Sequence, residues 1–227
     1  MYAPVVGEDS PGRLDADPET MADEAADRVE AGYDAIKIIP FGETWPVDTP
    51  AALDRIEERV RAVREAVGPE VDVAIDAHGK LAPPMAKRVL RRIEPHEPLF
   101  VEEPVKPEYD HRLADLRSAA TTPIATGERR YSRWDFRDVI DAVDVVQPDA
   151  SHAGGVSELR RIAALAETHG VHTAFHCPLG PVALSACVQV DAAIPNLLIQ
   201  ETPGFYGGSF DQYIPRRRHD DGSVADW

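Results

Sequence analysis

Three apolar segments of this chain each end at or just before a carboxylate, and they recur at a constant interval. They are residues 71–76, 99–102 and 124–128. The acids Asp76, Glu102 and Glu128 are 26 residues apart in both steps (102 − 76 = 26 and 128 − 102 = 26). A strand, a helix and two short loops occupy about that length, so the spacing predicts three successive β/α units with one acid each on the same rim. Neighbouring carboxylates repel one another, so we expect a bound cation, and hard oxygen ligands favour Mg²⁺ over zinc or copper.

The rest of the chain continues the alternation of strands and helices. Further strands are predicted at residues 2–6, 34–39, 143–147, 171–176 and 197–201. Helices are predicted at residues 18–31, 50–67, 82–93, 111–120, 133–142, 156–168 and 181–193. Eight strands that alternate with seven helices favour a closed (β/α)7β TIM-like barrel of the α/β class over an open doubly wound sheet. We therefore expect a catalytic barrel domain at residues 1–206 and a polar C-terminal tail at residues 207–227.

Composition limits the partners of the chain. Its 227 residues include 40 Asp and Glu against 24 Lys and Arg, which gives a net charge of −16. Nucleic acid is not an expected partner, because phosphate binding requires a basic surface and the one basic cluster, residues 216–218, lies in the tail. No apolar run reaches the roughly 18 residues of a membrane helix and the N-terminus has no secretory pattern, so we expect no membrane association and a cytoplasmic location.

Two further features of composition concern the environment of the protein. Of the basic residues 20 are Arg and 4 are Lys. An acidic surface poor in Lys suits a high-salt cytoplasm, because salt screens the repulsion, and we hold a halophilic origin as a hypothesis beside an ordinary acidic protein. Unfolding that did not respond to molar KCl would count against it. The two cysteines, Cys177 and Cys187, are expected to be small residues of a reduced interior.

Polar residues also end the strands on either side of the three acids. Lys37 ends the second strand, and Asp149, His176 and Glu201 end or follow the last three. The carboxyl ends of barrel strands form the catalytic face of such folds. Asp149 on a neighbouring strand would fix the tautomer of His176 and raise its pKa, which favours His176 as a general base.

A second histidine lies close to the first acid in sequence. His78 follows Asp76 by two residues, and an extended chain would point both side chains to the same side. Two histidines across one cation would supply an acid and a base for eliminating water α,β to a carboxylate. Glu103 faces away from Glu102 and is expected to pair with a neighbouring base. His152 is interpreted as a loop residue.

Several motifs together resemble the enolase superfamily. They are Lys37, Asp76-Ala77-His78, Val101-Glu102-Glu103-Pro104, Thr126-Gly127-Glu128-Arg129, residues 147–155, residues 176–181 and Gln200-Glu201. The mandelate racemase-like branch fits best, and within it the galactonate dehydratases and related sugar-acid dehydratases. The resemblance extends from about Gly32 to Tyr206.

The resemblance implies a role for each of these positions. Asp76, Glu102 and Glu128 would bind Mg²⁺, and His176 with Asp149 would form the base dyad. The remaining positions have single roles: His78 would expel the hydroxyl at C3, Glu201 would help to stabilise the enediolate, and Lys37 would contact the substrate carboxylate. Ile39 stands where racemases carry a second, catalytic lysine, so a single base on the His176 side favours dehydration. The implied reaction is that of a hydro-lyase, which converts an aldonate such as galactonate, gluconate or a pentonate into its 2-keto-3-deoxy acid.

The sequence departs from full-length members of that superfamily in one respect. Such members carry an N-terminal α+β capping domain that closes over the barrel and selects the substrate, and no such domain is visible here. Three expectations stay open: a separately encoded capping domain, a truncated, non-catalytic barrel fragment or subunit, and a barrel that works without a capping domain. A racemase, epimerase or cycloisomerase on the same barrel is the alternative enzyme. Self-association into a homo-oligomer through the uncovered surface is a further expectation.

Overall fold

The computed structural model describes residues 2–5 and 16–202, and these form one parallel sheet with helical connections. In this described part of the chain, seven strands lie side by side in the order of the sequence. They are β1 (Tyr2–Val5), β2 (Ala35–Ile38), β3 (Asp72–Asp76), β4 (Val101–Glu102), β5 (Ile124–Thr126), β6 (Val145–Val146) and β7 (His172–Thr173). Strictly sequential parallel neighbours are the wall of a β/α barrel rather than of a doubly wound sheet, in which the order reverses. The predicted TIM-like α/β class is confirmed.

The eighth predicted strand is present as isolated bridge positions at Leu197 and Glu201 instead of a regular strand. Leu197 forms a parallel bridge with Thr173, and the Leu198 N–H donates to the Thr173 carbonyl at 2.8 Å. The prediction of a regular strand over residues 197–201 was therefore too long for the residues that the structure describes. The predicted tail at residues 207–227 lies outside the described residues, as does the end of the proposed barrel domain at residue 206.

Seven α-helices occur between residues 16 and 202 and connect the strands. They are α1 (Pro18–Glu30), α2 (Pro50–Val67), α3 (Pro83–Ile93), α4 (Leu113–Arg117), α5 (Arg133–Arg137), α6 (Val156–Thr168) and α7 (Pro181–Asp191). Four of them start with proline, whose fixed φ suits the first helical position. Asp17 caps α1 by accepting from the Thr20 N–H at 3.0 Å, and Thr49 caps α2 by accepting from the Ala52 N–H at 3.2 Å. No helix of the described residues is long and apolar enough to cross a membrane.

Two predicted helices are shorter than expected. Instead of one helix over residues 111–120, a 3-10 segment at Pro107–Arg112 precedes the five-residue α4. Instead of one helix over residues 133–142, the five-residue α5 is followed by a 3-10 turn at Ile140–Ala142. Each short helix buries few side chains, Leu113 and Leu116 in α4 and Phe136 in α5, so little apolar burial supports a longer helix.

The apolar core has two parts on the two sides of the sheet. The larger lies between the strands and the helices, and the smaller lies on the opposite side of the strands. The smaller consists of Ala35, Ala74, Phe100, Ala125, Val145 and Ala174. Side chains alternate along a strand, so every second residue lies on the same side of the sheet. The residue two positions after each member of the smaller cluster therefore also lies on this inner side. Those residues begin the site.

Candidate active site

A polar layer follows the inner apolar cluster. Two residues beyond its six members come Lys37, Asp76, Glu102, Gly127, Gln147 and His176. Five of the six positions carry polar side chains, and this inner register brings together residues from six consecutive segments of the sheet. Gln147 was not predicted from the sequence as a site residue. It is fully buried, and neither atom of its side-chain amide has a hydrogen-bond partner.

Lys37 lies at the centre of this layer and contacts three carboxylates. Its Nζ atom is 2.8 Å from Glu201 Oε1, 2.9 Å from Glu102 Oε2 and 3.6 Å from Asp76 Oδ2. The side chain is 4% exposed, so these ion pairs are shielded from water. Glu201 also accepts from the Cys177 N–H at 2.7 Å. Cys177 and Cys187 are both buried free thiols, as the sequence predicted.

The three acids spaced 26 residues apart in sequence converge in space. Asp76, Glu102 and Glu128 each offer an oxygen, and these oxygens lie within 4.8 Å of one another. Asp76 and Glu102 are at the ends of β3 and β4, which pair in register at these two residues. Glu128 lies one residue beyond the inner position Gly127, in a turn that the Arg130 N–H closes onto the Gly127 carbonyl at 3.0 Å. The triad is therefore assembled from two strand ends and one turn.

The charge balance of the triad fits a divalent cation. Burial, followed by the negative charge of Asp76, raises the pKa of Glu102 to about 8. Burial also acts to raise the pKa of Asp76, but the Lys37 ammonium and His78 outweigh it and lower that pKa to about 2. Both carboxyl groups contact Lys37, but their pKa values shift in opposite directions. One ammonium cannot compensate the negative charge of both groups. Glu102 Oε1 is buried without a hydrogen-bond partner, so a hard cation would complete its coordination.

His78 is brought to the triad by a conformation different from the extended one assumed from sequence. Its backbone is left-handed, with φ of 48°. Its N–H donates to Asp76 Oδ1 at 2.8 Å and its Nε2 lies 2.9 Å from Asp76 Oδ2. The hydrogen bond with Asp76 is the main reason why the pKa of His78 is raised. Proximity was predicted for the wrong geometric reason: the chain turns back on Asp76 instead of continuing past it.

His176 and Asp149 lie side by side, as their strand-end positions predicted. Their backbones form a parallel bridge, and His176 Nδ1 is 2.8 Å from Asp149 Oδ2. The other ring nitrogen, Nε2, is 3.2 Å from Glu128 Oε2. Burial acts to lower the pKa of His176, but Asp149, Glu201 and Glu128 outweigh it and raise the pKa to about 9. Asp149 thus orients the imidazole so that its free nitrogen faces the triad.

Two arginines that the sequence reasoning did not single out contact the residues around the triad. Arg129 donates through Nη2 to the His78 carbonyl at 2.8 Å and lies 3.2 Å from Glu128 Oε1 through Nε. Arg130 is buried and contacts Glu103 and Asp110. The expectation that Glu103 pairs with a base is met by Arg130. The Gly-Glu-Arg-Arg run after β5 was the available signal, because charged residues that follow a barrel strand lie at its active face.

The mouth of the barrel is lined by exposed apolar side chains. Among the described residues nine large apolar side chains are exposed, and eight of them follow the carboxyl ends of strands or begin the next helix. The eight are Trp45, Val47, Tyr109, Tyr131, Trp134, Val156, Leu179 and Val182. Such side chains gathered on one face are typical of a surface that another polypeptide covers.

Fold and site together define a β/α barrel with a carboxylate cluster that could hold a cation and with one histidine against Asp76 and another against Glu128. Residues 20–225 match the family described as Enolase C-terminal domain-like. The chain belongs to this family.

Individual relatives agree with that assignment. The chain is 46% identical over 175 residues to a D-galactonate dehydratase of Variovorax paradoxus (strain S110), a match that covers 76% of this chain and 46% of the relative. It is 42% identical over 198 residues to a D-galactonate dehydratase of Xanthomonas euvesicatoria pv. vesicatoria (strain 85-10), which covers 86% and 50% respectively. The chain spans about half the length of these curated relatives.

A solved structure has the same architecture. The mandelate racemase/muconate lactonizing enzyme-like protein from Rubrobacter xylanophilus DSM 9941 superposes with a TM-score of 0.85 at 35% identity. The match covers 99% of this chain and 61% of that one. Because the match covers nearly the whole chain, it includes the strands that carry the site.

Proposed function

We propose that this barrel is the catalytic part of a Mg²⁺-dependent hydro-lyase that removes water from a sugar acid to give the 2-keto-3-deoxy acid. One observation carries the proposal: the two histidines contact different carboxylates of the triad, those on the first and the last of its three segments in strand order. His78 contacts Asp76, the ligand from β3, and His176 contacts Glu128, the ligand that follows β5. Glu102 comes from the strand between them. A substrate carboxylate bound at the triad would have a proton-transfer group on each side.

His176 is the proposed base that removes the proton next to the substrate carboxylate. Asp149, at 2.8 Å from Nδ1, holds the proton on that nitrogen and leaves Nε2 as the acceptor. The Nε2 atom faces the triad, where the acidic proton would be presented. Pairing of the surrounding carboxylates with a cation would weaken the attraction that now raises the pKa of His176, so that the imidazole would be neutral nearer to pH 7.

His78 is the proposed acid that protonates the departing hydroxyl. Its pKa is raised by the hydrogen bond with Asp76, and a raised pKa favours the protonated form that such a step requires. The side chain is 39% exposed, unlike those of the ligands, so it can reach a substrate in the mouth of the barrel. Lys37 and Glu201, which contact each other, are proposed to orient the substrate carboxylate and the charge that develops on it.

The proposed cation is Mg²⁺, held by Asp76, Glu102 and Glu128. When bound there, it would polarise the substrate carboxylate and stabilise the negative charge that forms as the α-proton leaves. The names of the relatives support a sugar acid as substrate, since two of them are D-galactonate dehydratases. We propose an aldonate without choosing between galactonate, gluconate and the pentonates.

The test is turnover with a panel of aldonates. The protein, with Mg²⁺, is incubated in D₂O with galactonate, gluconate, xylonate and arabinonate, and the 2-keto-3-deoxy product is quantified. We expect product from at least one aldonate, loss of product with EDTA, and loss with His176→Asn. The control is His169→Asn, which changes a histidine that pairs with Asp141 outside the site and should leave turnover unchanged.

Two other outcomes distinguish the alternatives. Deuterium appearing at C2 without loss of water would indicate a racemase, epimerase or cycloisomerase. Ile39, in the position where racemases have a catalytic lysine, argues against a second base. No turnover even when a capping segment is supplied would indicate a non-catalytic barrel subunit.

We further propose that a capping domain, separately encoded or part of a longer protein, covers the apolar mouth. The eight exposed side chains at the mouth and the half-length match to the relatives support this partner. The experiment supplies in trans the part of the Variovorax paradoxus relative that the chain does not match. We expect a complex by sedimentation and a gain in turnover, whereas self-association of the barrel alone through the same face would indicate a homo-oligomer.

A further inference from the structure

Glu103 follows the ligand Glu102 directly but takes no part in the carboxylate triad. It lies behind the triad, 1% exposed, with its backbone in the left-handed region at φ of 41°. A residue with a Cβ atom adopts that conformation at an energetic cost, and the surrounding contacts must maintain it. The contacts of Glu103 are therefore informative about its purpose.

The side chain of Glu103 ties the end of β4 to the turn that carries Glu128. One oxygen, Oε1, accepts from the Thr126 hydroxyl at 2.5 Å and from the Gly127 N–H at 2.9 Å. Gly127 precedes the ligand Glu128 directly, so the carboxylate fixes the peptide from which that ligand departs. Gly127 cannot be replaced without moving this turn, since an added Cβ would lie 2.4 Å from the backbone of Gln147.

The backbone of Glu103 reaches the loop that carries the other ligand. Its carbonyl accepts from the Gly79 N–H at 2.7 Å, and its own N–H donates to the Ala125 carbonyl at 3.0 Å. Gly79 follows His78 directly and lies three residues after Asp76. One residue thus makes hydrogen bonds with both loops that flank Glu102, and these loops carry Asp76, His78 and Glu128.

The charge of Glu103 is compensated away from the triad. Arg130 donates through Nη1 to Thr126 Oγ1 at 2.6 Å, lies 3.4 Å from Glu103 Oε1, and reaches Asp110 Oδ1 at 2.5 Å through Nη2. Arg130 is 3% exposed. Oε1 of Glu103 therefore accepts from Arg130, Thr126 and Gly127, which holds the backbone in place, whereas Oε2 has no hydrogen-bond partner.

We propose that Glu103 is a positioning residue that sets the spacing of the three metal-binding carboxylates by joining the loops after β3 and β5 to the end of β4. The proposal rests on the metal site of the proposed function. Glu103 would not touch the cation, and it would act through the Gly127 and Gly79 peptides. Outer hydrogen bonds of this kind typically change metal affinity by about 10-fold to 100-fold when removed.

The experiment measures Mg²⁺ affinity by calorimetric titration, at a temperature well below the unfolding midpoint of every variant. We expect Glu103→Ala to bind Mg²⁺ at least about tenfold more weakly than the parent. Glu103→Gln should stay within about threefold, because its amide oxygen can still accept from Thr126 and Gly127, and its amide nitrogen replaces Oε2, which has no partner. Thr126→Val, which removes the hydroxyl, should be intermediate.

Glu158→Ala is the matched control. Glu158 also accepts a backbone N–H, that of Arg133 at 3.1 Å, and pairs with the Arg133 and Arg161 side chains, but none of these contacts involves the triad. We expect this variant to lose stability without a change in Mg²⁺ affinity. A purely structural role for Glu103 would make the two alanine variants alike in both measurements, so an unchanged affinity in a folded Glu103→Ala protein would overturn the proposal.

Further results distinguish a failure of the positioning proposal from a failure of the proposed metal site. If the parent does not bind Mg²⁺, the metal site fails and the positioning role falls with it. If the parent binds and Glu103→Gln is as weak as Glu103→Ala, hydrogen-bond acceptance is not the basis of positioning. Mn²⁺ bound to each variant should give a broader electron paramagnetic resonance spectrum in Glu103→Ala than in the parent, because ligands that are not held in place sample more geometries.

Discussion

Glu102 and Glu103 are neighbours in sequence, are equally buried, and belong to two opposite kinds of ionic cluster. Glu102 lies among Asp76, Glu128 and Glu201, with the Lys37 ammonium as the cation in contact with it. Glu103 lies between the Arg130 guanidinium and donors from Thr126 and Gly127. The first cluster has four carboxylates around one ammonium, and Glu102 Oε1 has no hydrogen-bond partner, so it retains capacity for a ligand. In the second cluster the Arg130 guanidinium contacts two carboxylates, those of Glu103 and Asp110, and Glu103 Oε1 accepts from the Thr126 hydroxyl and the Gly127 N–H, which holds the backbone. At the end of β4, therefore, a candidate metal ligand is followed directly by a carboxylate that holds the backbone.

The largest effect is expected where either cluster loses its cation. Lys37→Met and Arg130→Met should each lower the free energy of unfolding by about 3–5 kcal/mol, because each leaves buried carboxylates uncompensated. The two should differ in their response to Mg²⁺. Urea unfolding in EDTA and in millimolar Mg²⁺ should show strong recovery for Lys37→Met and little for Arg130→Met. Equal recovery would remove the distinction between the two clusters.

The turn at Gly127 contacts Glu103 and carries Glu128, so it belongs to both clusters. Adding one methyl group there, in Gly127→Ala, should lower stability. In Gly127→Ala the new Cβ would meet the backbone C, N and O of Gln147 at 2.4–2.7 Å, so β5 and β6 must separate. We expect a loss of about 1–3 kcal/mol in thermal or urea unfolding, together with weaker Mg²⁺ binding. The control is Gly170→Ala, where φ is +68° but nothing lies within 4 Å, so stability should fall without any change in Mg²⁺ binding.

The half-buried carboxyl of Asp191 tests what burial does outside both clusters. Burial raises the pKa of Asp191, at the end of α7, to about 7, and its Oδ1 has no hydrogen-bond partner. A folded-state pKa above the unfolded value near 4 means that its stabilising contribution is complete below pH 4 and is lost as pH rises through 7. Asp191→Asn should therefore gain on the order of 1 kcal/mol over the parent at pH 8 and little at pH 4. Urea unfolding at both pH values measures this, and a pH-independent difference would contradict it.

The smallest effect is expected for an exposed ion pair. Arg61 and Glu65 lie one helical turn apart on α2 with 3.0 Å between Nη1 and Oε1, and about half or more of each side chain is exposed. Glu65→Gln should cost about 0.3–0.5 kcal/mol at low salt and nothing measurable in molar KCl, because water and salt screen the pair. If Glu65→Gln lowered the free energy of unfolding as much as the substitutions in the buried clusters, burial would not explain why the buried ion pairs matter more than this exposed one.

The sequence predicted the first half of the fold closely, because there the patterns are long. Helix α2 agrees with its prediction at both ends, since a proline start, an apolar stripe and Gly68 define it. The later elements are short: β4, β6 and β7 have two residues each, and the predicted eighth strand has isolated bridge positions at Leu197 and Glu201. Periodicity cannot delimit elements of that length, because neighbouring strands rather than local propensity hold them.

The candidate site could be predicted where a residue lies at a strand end. Asp76 and Glu102 follow the alternation of their strands, and the Asp149–His176 contact follows from adjacent strand ends. The left-handed turn at His78 and the network of Glu103 with Arg130 could not be predicted, because both depend on backbone angles and on loops that meet only in the folded chain. The roles of these residues in catalysis stay predictions until turnover is measured.

The sequential order of the strands has a consequence for how the protein folds. The three carboxylates come from consecutive units and span 53 residues (128 − 76 + 1 = 53), whereas the contact between Lys37 and Glu201 joins residues 164 apart (201 − 37 = 164). Closing a longer loop costs more entropy, and contacts distant in sequence form more slowly. The carboxylate triad can therefore assemble while the last segment is still unattached. Divalent cations should accelerate the early phase of refolding and leave the final docking of Glu201 unchanged.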